Sequence, residues 1–242
     1  RVLQHEAGLD LKKHVAFVAG HSLGEYSALA AAGSLTIADT ARLLRIRGNA
    51  MQAAVAPGVG AMAALIGLDF ASAAAVATDA SQGDICQAAN DNGGGQVVVS
   101  GTKAAVERAV ELAKTRGAKR AVMLSVSAPF HCTLMQPAAD AMALALSEVK
   151  LIAPEVPLVV NVSAMGGADP DEIRAALVRQ VTGTVRWRES VEWMASNGVS
   201  RFVEVGTGKV LTGLVKRIAA DAEGMAVNAP DDVAVFRPLI GH

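Results

Sequence analysis

The sequence predicts an α/β fold: a hydrolase-like large domain with a parallel sheet, residues 1–57 and 127–242, and an inserted ferredoxin-like small domain, residues 58–126. Three observations predict it. Of the 242 residues 52% are hydrophobic but only 3% aromatic, so the interior must be built from Ala, Val, Leu and Ile, as when Ala-rich helices cover a Val-rich sheet. The apolar run 15–19 passes through Gly20-His21-Ser22-Leu23-Gly24 into a run of helix formers, 25–30, which reads as strand, sharp turn and helix. Between residues 58 and 126 the periodicity alternates in the order βαββαβ, that of a split βαβ unit.

In chain order, residues 1–14 are polar and helix-like, unlike a secretion signal. The chain opens at Arg1 inside that pattern, so it is expected to be a fragment lacking its natural N-terminus. After the first helix Gly33 and Ser34 break the pattern, and Thr36-Ile37-Ala38-Asp39 reads as a capping box opening a second helix. On that helix Ile37, Ala41, Leu44, Gly48, Met51 and Val55 form an apolar stripe at 100° per residue. Arg47 borders the stripe, Arg42 points away, and Gly48 leaves room for another surface. In the small domain, strands are expected at 61–66, 85–89, 96–100 and 121–126, with helices at 70–80 and 103–116. Gly93-Gly94-Gly95, between two strands, reads as a hairpin loop. A helix at 134–149, a strand at 158–162, two helices within 169–196, a strand at 201–205 and a helix at 209–220 return to the parallel style. Gly206-Thr207-Gly208-Lys209 lacks the first glycine and the final Ser/Thr of a phosphate loop and reads as a strand-to-helix turn.

Charge and composition narrow the function. A net charge of −1 and a pI near 6.6 give no reason to expect nucleic acid or an anionic membrane as partner. No apolar stretch approaches membrane-span length. Cys86 and Cys132 make neither a metal-ligand cluster nor a disulfide framework, which fits a reducing, cytoplasmic setting. No metal ligand set is evident.

Ser22 carries the strongest chemical signal. In a G-x-S-x-G elbow the serine Oγ is thrown clear of the strand end, and the helix N-terminus points free N–H groups at the reacting centre, an arrangement suited to acyl chemistry. The pattern alone is weak in a glycine-rich chain, and the flanking strand and helix strengthen it. A serine nucleophile needs a base, and His131, in a loop after the last small-domain strand and two residues beyond Pro129, is the useful candidate; a capping or solvent-facing histidine is the bland alternative. Cys132 reads as a small packing residue, since consecutive side chains rarely face each other. A second triad, Ser22 with Asp231 or Asp232 and His242, has the chain order of α/β-hydrolases but puts its imidazole on the last residue, where chains fray. His5, His14 and His21 read as structural. Arg47 beside the elbow helix is a candidate carboxylate clamp; the bland reading is an arginine reaching along the stripe to water.

Taken together, GHSLGEYSAL around Ser22, RxRGxxMQ from Arg45 to Gln52, NGGGQVVVSG from Asn92, APFHCTLMQPA from Ala128, LVRQ ending at Gln180 and EVGTGKVLTGLVKRI from Glu204 resemble the malonyl-CoA:acyl carrier protein transacylase family over essentially the whole chain. The resemblance implies Ser22 as acyl-accepting nucleophile, His131 as general base, Gln180 orienting the imidazole through a carbonyl oxygen, and the Leu23 N–H as an oxyanion donor. It implies Arg47 as the clamp on the malonyl carboxylate, Phe130 beside His131 as a marker of malonyl over methylmalonyl groups, and Asn90 and Asn92 near the coenzyme. Malonyl-CoA and acyl carrier protein are then the partners of a monomer in fatty acid biosynthesis, with no cofactor. The family's N-terminal strand and the Gly-Gln-rich loop that supplies a second oxyanion donor are not in this chain, and Thr184 stands where a proline is common. Two other readings are an esterase or thioesterase on the same elbow, which leaves Arg47 and the insertion unexplained, and a non-catalytic domain that only docks carrier protein.

Overall fold

In the computed structural model, which describes residues 1–241, the chain begins with two short helices, α1 (Val2–Glu6) and α2 (Leu11–His14), the second capped by Asp10. β1 (Val18–Ala19) leads through the elbow into α3 (Gly24–Ala31), and Thr36 then caps α4 (Ile37–Ala53) by accepting the Asp39 N–H. The buried face of α4 is Thr40, Leu43, Arg47 and Met51. It is turned by about one residue from the predicted stripe: Ile37, Ala41 and Gly48 lie on the exposed side, and nothing stands within 4 Å of a Cβ built on Gly48. Counting apolar residues alone misses this, because a threonine and an arginine sit at the centre of the packed face.

The inserted unit comprises β2 (Gly60–Ile66), α5 (Phe70–Ser81), β3 (Cys86–Asp91), β4 (Gln96–Thr102), α6 (Lys103–Thr115) and β5 (Arg120–Met123). Its strands pair antiparallel in the order β3-β4-β2-β5. Alternation along the strands makes two faces. Ala61, Ala63, Leu65, Val97 and Val99 pack under α5 and α6, while Met62, Ala89 and Val98 face the other way, towards Phe130. Gly93, Gly94 and Gly95, all with positive φ, make the β3–β4 hairpin as expected.

The chain returns through a 3-10 turn (Thr133–Met135) into α7 (Gln136–Ser147), then β6 (Leu158–Val159), β7 (Gly166–Gly167), α8 (Pro170–Thr182) and α9 (Trp187–Ser196). β8 (Arg201–Val205), α10 (Val210–Ile218), β9 (Glu223–Val227), α11 (Asp232–Phe236) and a second 3-10 turn (Arg237–Ile240) complete it. The expected parallel sheet is divided. β1 and β6 pair parallel, with β7 antiparallel on the far edge, and β8 and β9 form a separate parallel pair. Phe17 and Ala19 share an apolar cluster with Phe202 but exchange no ladder with β8. β1 and β6 are also shorter than the predicted 15–19 and 158–162. The main core lies between α3, α4, α7 and α8, around Leu29, Leu43, Met142, Leu146 and Leu177.

A backbone seam joins the two units. Asn90 and Val185 form a parallel bridge, the Asp91 N–H donates to Val185 O and the Val185 N–H to Ala89 O, each at 2.9 Å. Thr184 Oγ1 adds a bond to Ala88 O at 2.7 Å, so the residue at the proline-like position contributes a donor of its own. Among the described residues no helix is long and apolar enough to cross a membrane.

Candidate active site

Gly20 ends the first strand where a Cβ would fall 2.0 Å from the Gly24 carbonyl carbon. Only glycine lets the start of α3 close onto the strand there. Gly24 itself has open space, so the steric requirement falls on Gly20 alone. The close approach turns Ser22 into the left-handed region, φ 53°, a conformation that costs a non-glycine residue roughly 1–3 kcal/mol. Its backbone is held at both ends: the Ser22 N–H donates to Asn161 Oδ1 at 2.8 Å, and Ser22 O accepts from Gln180 Nε2 at 2.8 Å and from the Glu25 N–H at 3.1 Å.

His131 is also left-handed, φ 61°, and almost fully buried. Its Nδ1 lies 2.9 Å from the backbone oxygen of Gln180. A carbonyl oxygen only accepts, so the proton sits on Nδ1 and Nε2 is left as an acceptor. Ser22 Oγ donates to that Nε2 at 2.8 Å. Burial first, and then the Arg47 charge, push the imidazole down to about 3, so it is neutral at physiological pH. Gln180 thus orients His131 with its main chain; its side chain has other partners.

Arg47 is 6% exposed. Its Nη2 donates to Ser22 Oγ at 3.0 Å and to Gln180 Oε1 at 2.9 Å, and its guanidinium lies 5.9 Å from the Tyr26 ring centroid. Arg47 Nε is buried without a partner. A buried cation with a free donor edge beside a serine hydroxyl can receive a carboxylate.

The remaining predicted residues are dispersed. Leu23 caps α3 and its N–H meets no protein acceptor among the described residues, which leaves it free for a developing oxyanion. Phe130 packs against both the main core and the inner face of the inserted sheet. Asn92 Oδ1 accepts from His21 Nε2 at 2.9 Å, linking the inserted unit to the elbow, and burial lowers the His21 value. Asn90 is buried in the seam with Nδ2 unpartnered. Cys132 donates its thiol to Pro129 O, as a packing residue does. Of the alternative triad, Asp232 is occupied by the Asn228 and Ala229 N–H groups, and His242 lies outside the described residues.

Sequence reasoning missed two residues. Asn161, two residues beyond β6, donates from Nδ2 to Gly20 O and accepts the Ser22 N–H, clamping the elbow. The end of a parallel strand beside a turn is where such groups gather, but reading 158–162 as one continuous strand hid it. Glu25, fully buried in the first turn of α3, accepts from the Asn161 N–H and Gln180 Nε2. An acid at a helix start ordinarily reads as a solvated complement to the dipole, so nothing in the pattern marked it as internal.

Comparison with known proteins identifies the family. Residues 12–230 match the acyl transferase domain family. The chain is 50% identical over 239 residues to the malonyl CoA-acyl carrier protein transacylase of Escherichia coli K12, covering 99% of this chain and 76% of that protein. With the Bacillus subtilis protein of the same name it shares 45% identity over 90% of this chain and 69% of the relative. The crystal structure of acyl-carrier-protein-S-malonyltransferase from Bartonella henselae superposes with a TM-score of 0.95 at 57% identity, covering 99% of this chain and 76% of that one. A malonyl-transacylase in complex with its type II PKS acyl-carrier protein superposes at 0.89 with 45% identity, covering 91% and 71%.

Proposed function

The chain belongs to the acyl transferase family of the malonyl CoA-acyl carrier protein transacylases, and from that membership we propose that it moves a malonyl group from malonyl-CoA, through an ester on Ser22, to the phosphopantetheine thiol of acyl carrier protein in fatty acid synthesis. One observation carries the reading: Ser22 Oγ touches both a neutral imidazole nitrogen and a buried guanidinium. The first makes a nucleophile, and the second selects an acyl group that ends in a carboxylate.

In the first step Ser22 Oγ attacks the thioester carbonyl while its proton passes to His131 Nε2. The Leu23 N–H receives the oxyanion. The tetrahedral intermediate collapses with cleavage of the C–S bond, and His131 returns the proton to the departing coenzyme A thiolate. In the second step the carrier thiol gives its proton to His131 and attacks the malonyl ester, and Ser22 Oγ leaves with that proton. Side chains supply both nucleophile and base, so the reaction requires no metal or redox cofactor. Gln180 O holds the imidazole throughout. A carrier protein as acceptor is supported by the related complex.

The same reading takes residues 1–57 and 127–242 as a hydrolase-like large domain and 58–126 as a ferredoxin-like small one, supported by the strand order β3-β4-β2-β5 and by separate apolar clusters. It takes the protein as a cytoplasmic monomer, the compartment supported by two free buried thiols. Phe130 beside the acyl group, and Asn90 and Asn92 near the coenzyme, are part of the same proposal.

Arg47→Ala tests the substrate class. A charge-assisted contact of about 1.5–3 kcal/mol predicts that malonyl transfer to a pantetheine thiol falls roughly tenfold to 150-fold, while acetyl transfer stays level or rises. Arg42→Ala, exposed and paired with Asp39, should change neither. Equal losses for malonyl and acetyl in Arg47→Ala would make the residue structural and favour a general esterase.

A further inference from the structure

Among the described residues Glu25 is the one fully buried carboxylate under the site that the acyl-transfer steps do not use. It lies behind Gln180, away from the reacting atoms. Oε1 accepts the Asn161 N–H at 3.1 Å, and Oε2 accepts Gln180 Nε2. The Gln180 amide is thereby oriented: its NH2 faces three acceptors, Glu25 Oε2, Ser22 O and, at 3.5 Å, Asn161 Oδ1, and its Oε1 is left facing Arg47 Nη2.

We propose that Glu25 is a positioning residue for acyl specificity, acting through the Gln180 amide to hold the Arg47 guanidinium with its free edge towards the acyl carboxylate. The inference rests on the role proposed for Arg47 and deepens it. Donor and acceptor counting carries it. An ionised carboxylate offers only acceptors, so it accommodates both the Asn161 N–H and the Gln180 NH2. Glutamine at position 25 has one acceptor and one donor end. With its oxygen on the Asn161 N–H, its NH2 opposes the Gln180 NH2; turned over, its NH2 opposes the Asn161 N–H. If Gln180 rotates in response, its own NH2 meets Arg47, donor against donor. No arrangement of the three groups satisfies all of them, and of the two acceptors holding Arg47 Nη2, Ser22 Oγ and Gln180 Oε1, the Gln180 contact is the one that gives way, since it is not tied to the backbone.

The test compares the whole chain with Glu25→Gln, Arg47→Ala and the double variant. Transfer from malonyl-CoA and from acetyl-CoA is measured at pH 8, above the value of about 7 to which burial raises Glu25. Glu25→Gln should lower the malonyl-to-acetyl ratio of kcat/KM by about tenfold, chiefly through a higher KM for malonyl-CoA, with a cooperative melt retained. In the Arg47→Ala background the same change should leave the ratio where Arg47→Ala put it. Glu25→Asp, which keeps an acceptor-only group, should recover part of the ratio. An unchanged ratio in Glu25→Gln, or a further fall in the double variant as large as in the single one, would overturn the proposal while leaving the role of Arg47 intact. A ratio unmoved by Arg47→Ala itself would overturn the clamp and this inference with it.

Discussion

At the residue scale, the site is made by two side chains whose backbones adopt a conformation few non-glycine residues take, Ser22 and His131. Each strained residue is tied down by partners that came from elsewhere in the sequence: Asn161 and Gln180 for the serine, the Gln180 carbonyl for the histidine. The imidazole pays for its burial in acid. Its folded value of about 3 lies below the ordinary 6.5, so between those limits the unfolded chain binds more protons. The contribution of neutral His131 is therefore complete above about pH 6.5 and is lost as pH falls towards 3. Urea unfolding followed from pH 7 to pH 4 should show stability falling more steeply in the wild type than in His131→Gln, which has nothing to protonate; His21, shifted the same way, stays common to both. Parallel curves would mean that His131 is not held neutral by the fold. Ser22, His131 and Arg47 were legible because the proposed nucleophile, base and clamp each carry a residue type tied to its chemistry. Glu25 and Asn161 were not, because their role is to satisfy other groups, and that depends on three-dimensional neighbours that no local pattern records.

At the scale of elements, local signals worked where geometry is local. The Thr36 cap, the α5 and α6 helices and the glycine hairpin follow from residues within a few positions of one another. The parallel strands do not. β1 and β6 keep two residues each, since a parallel ladder lasts only as long as its distant partner stays alongside. β9 and α11 were not anticipated either; they pack through Val227 and Phe236 against Leu3, at the opposite end of the chain. The elbow gives a clean contrast between two glycines in one motif. Gly20→Ala should abolish the folded state or shift the melt sharply down, because its Cβ would strike the Gly24 carbonyl carbon. Gly24→Ala should melt at or above the wild-type temperature, since the space is open and alanine is favoured over glycine in a helix by up to about 1 kcal/mol. A calorimetric scan of both variants decides it, and equal behaviour would contradict the close approach.

At the scale of the molecule, His21 Nε2 donates to Asn92 Oδ1 and so links the elbow to the β3 end of the inserted sheet, next to the seam at Asn90 and Val185. The βαββαβ order of the insertion was readable because short apolar runs such as 61–66 and 97–99 are set off by polar and glycine breaks from helical segments; how it docks was not, because docking rests on Val185, Thr184 and an ion pair far apart in sequence. That pair joins Asp91 to Arg188 at 2.9 Å, with the carboxylate side chain only 3% exposed. Burial raises the Asp91 value while Arg188 pulls it back. Arg188→Ala should therefore lower the melting temperature more than Arg201→Ala, whose exposed pair with Glu223 contributes about 0–1 kcal/mol; equal shifts would make the seam insensitive to that charge. Every part of this assembly converges on one covalent event. Incubating the protein with malonyl-CoA in the absence of a thiol acceptor and mapping the modified peptide by mass spectrometry should find the malonyl group on Ser22, absent from Ser22→Ala. Label on Cys132 or elsewhere, or undiminished label in Ser22→Ala, would contradict the account at its centre.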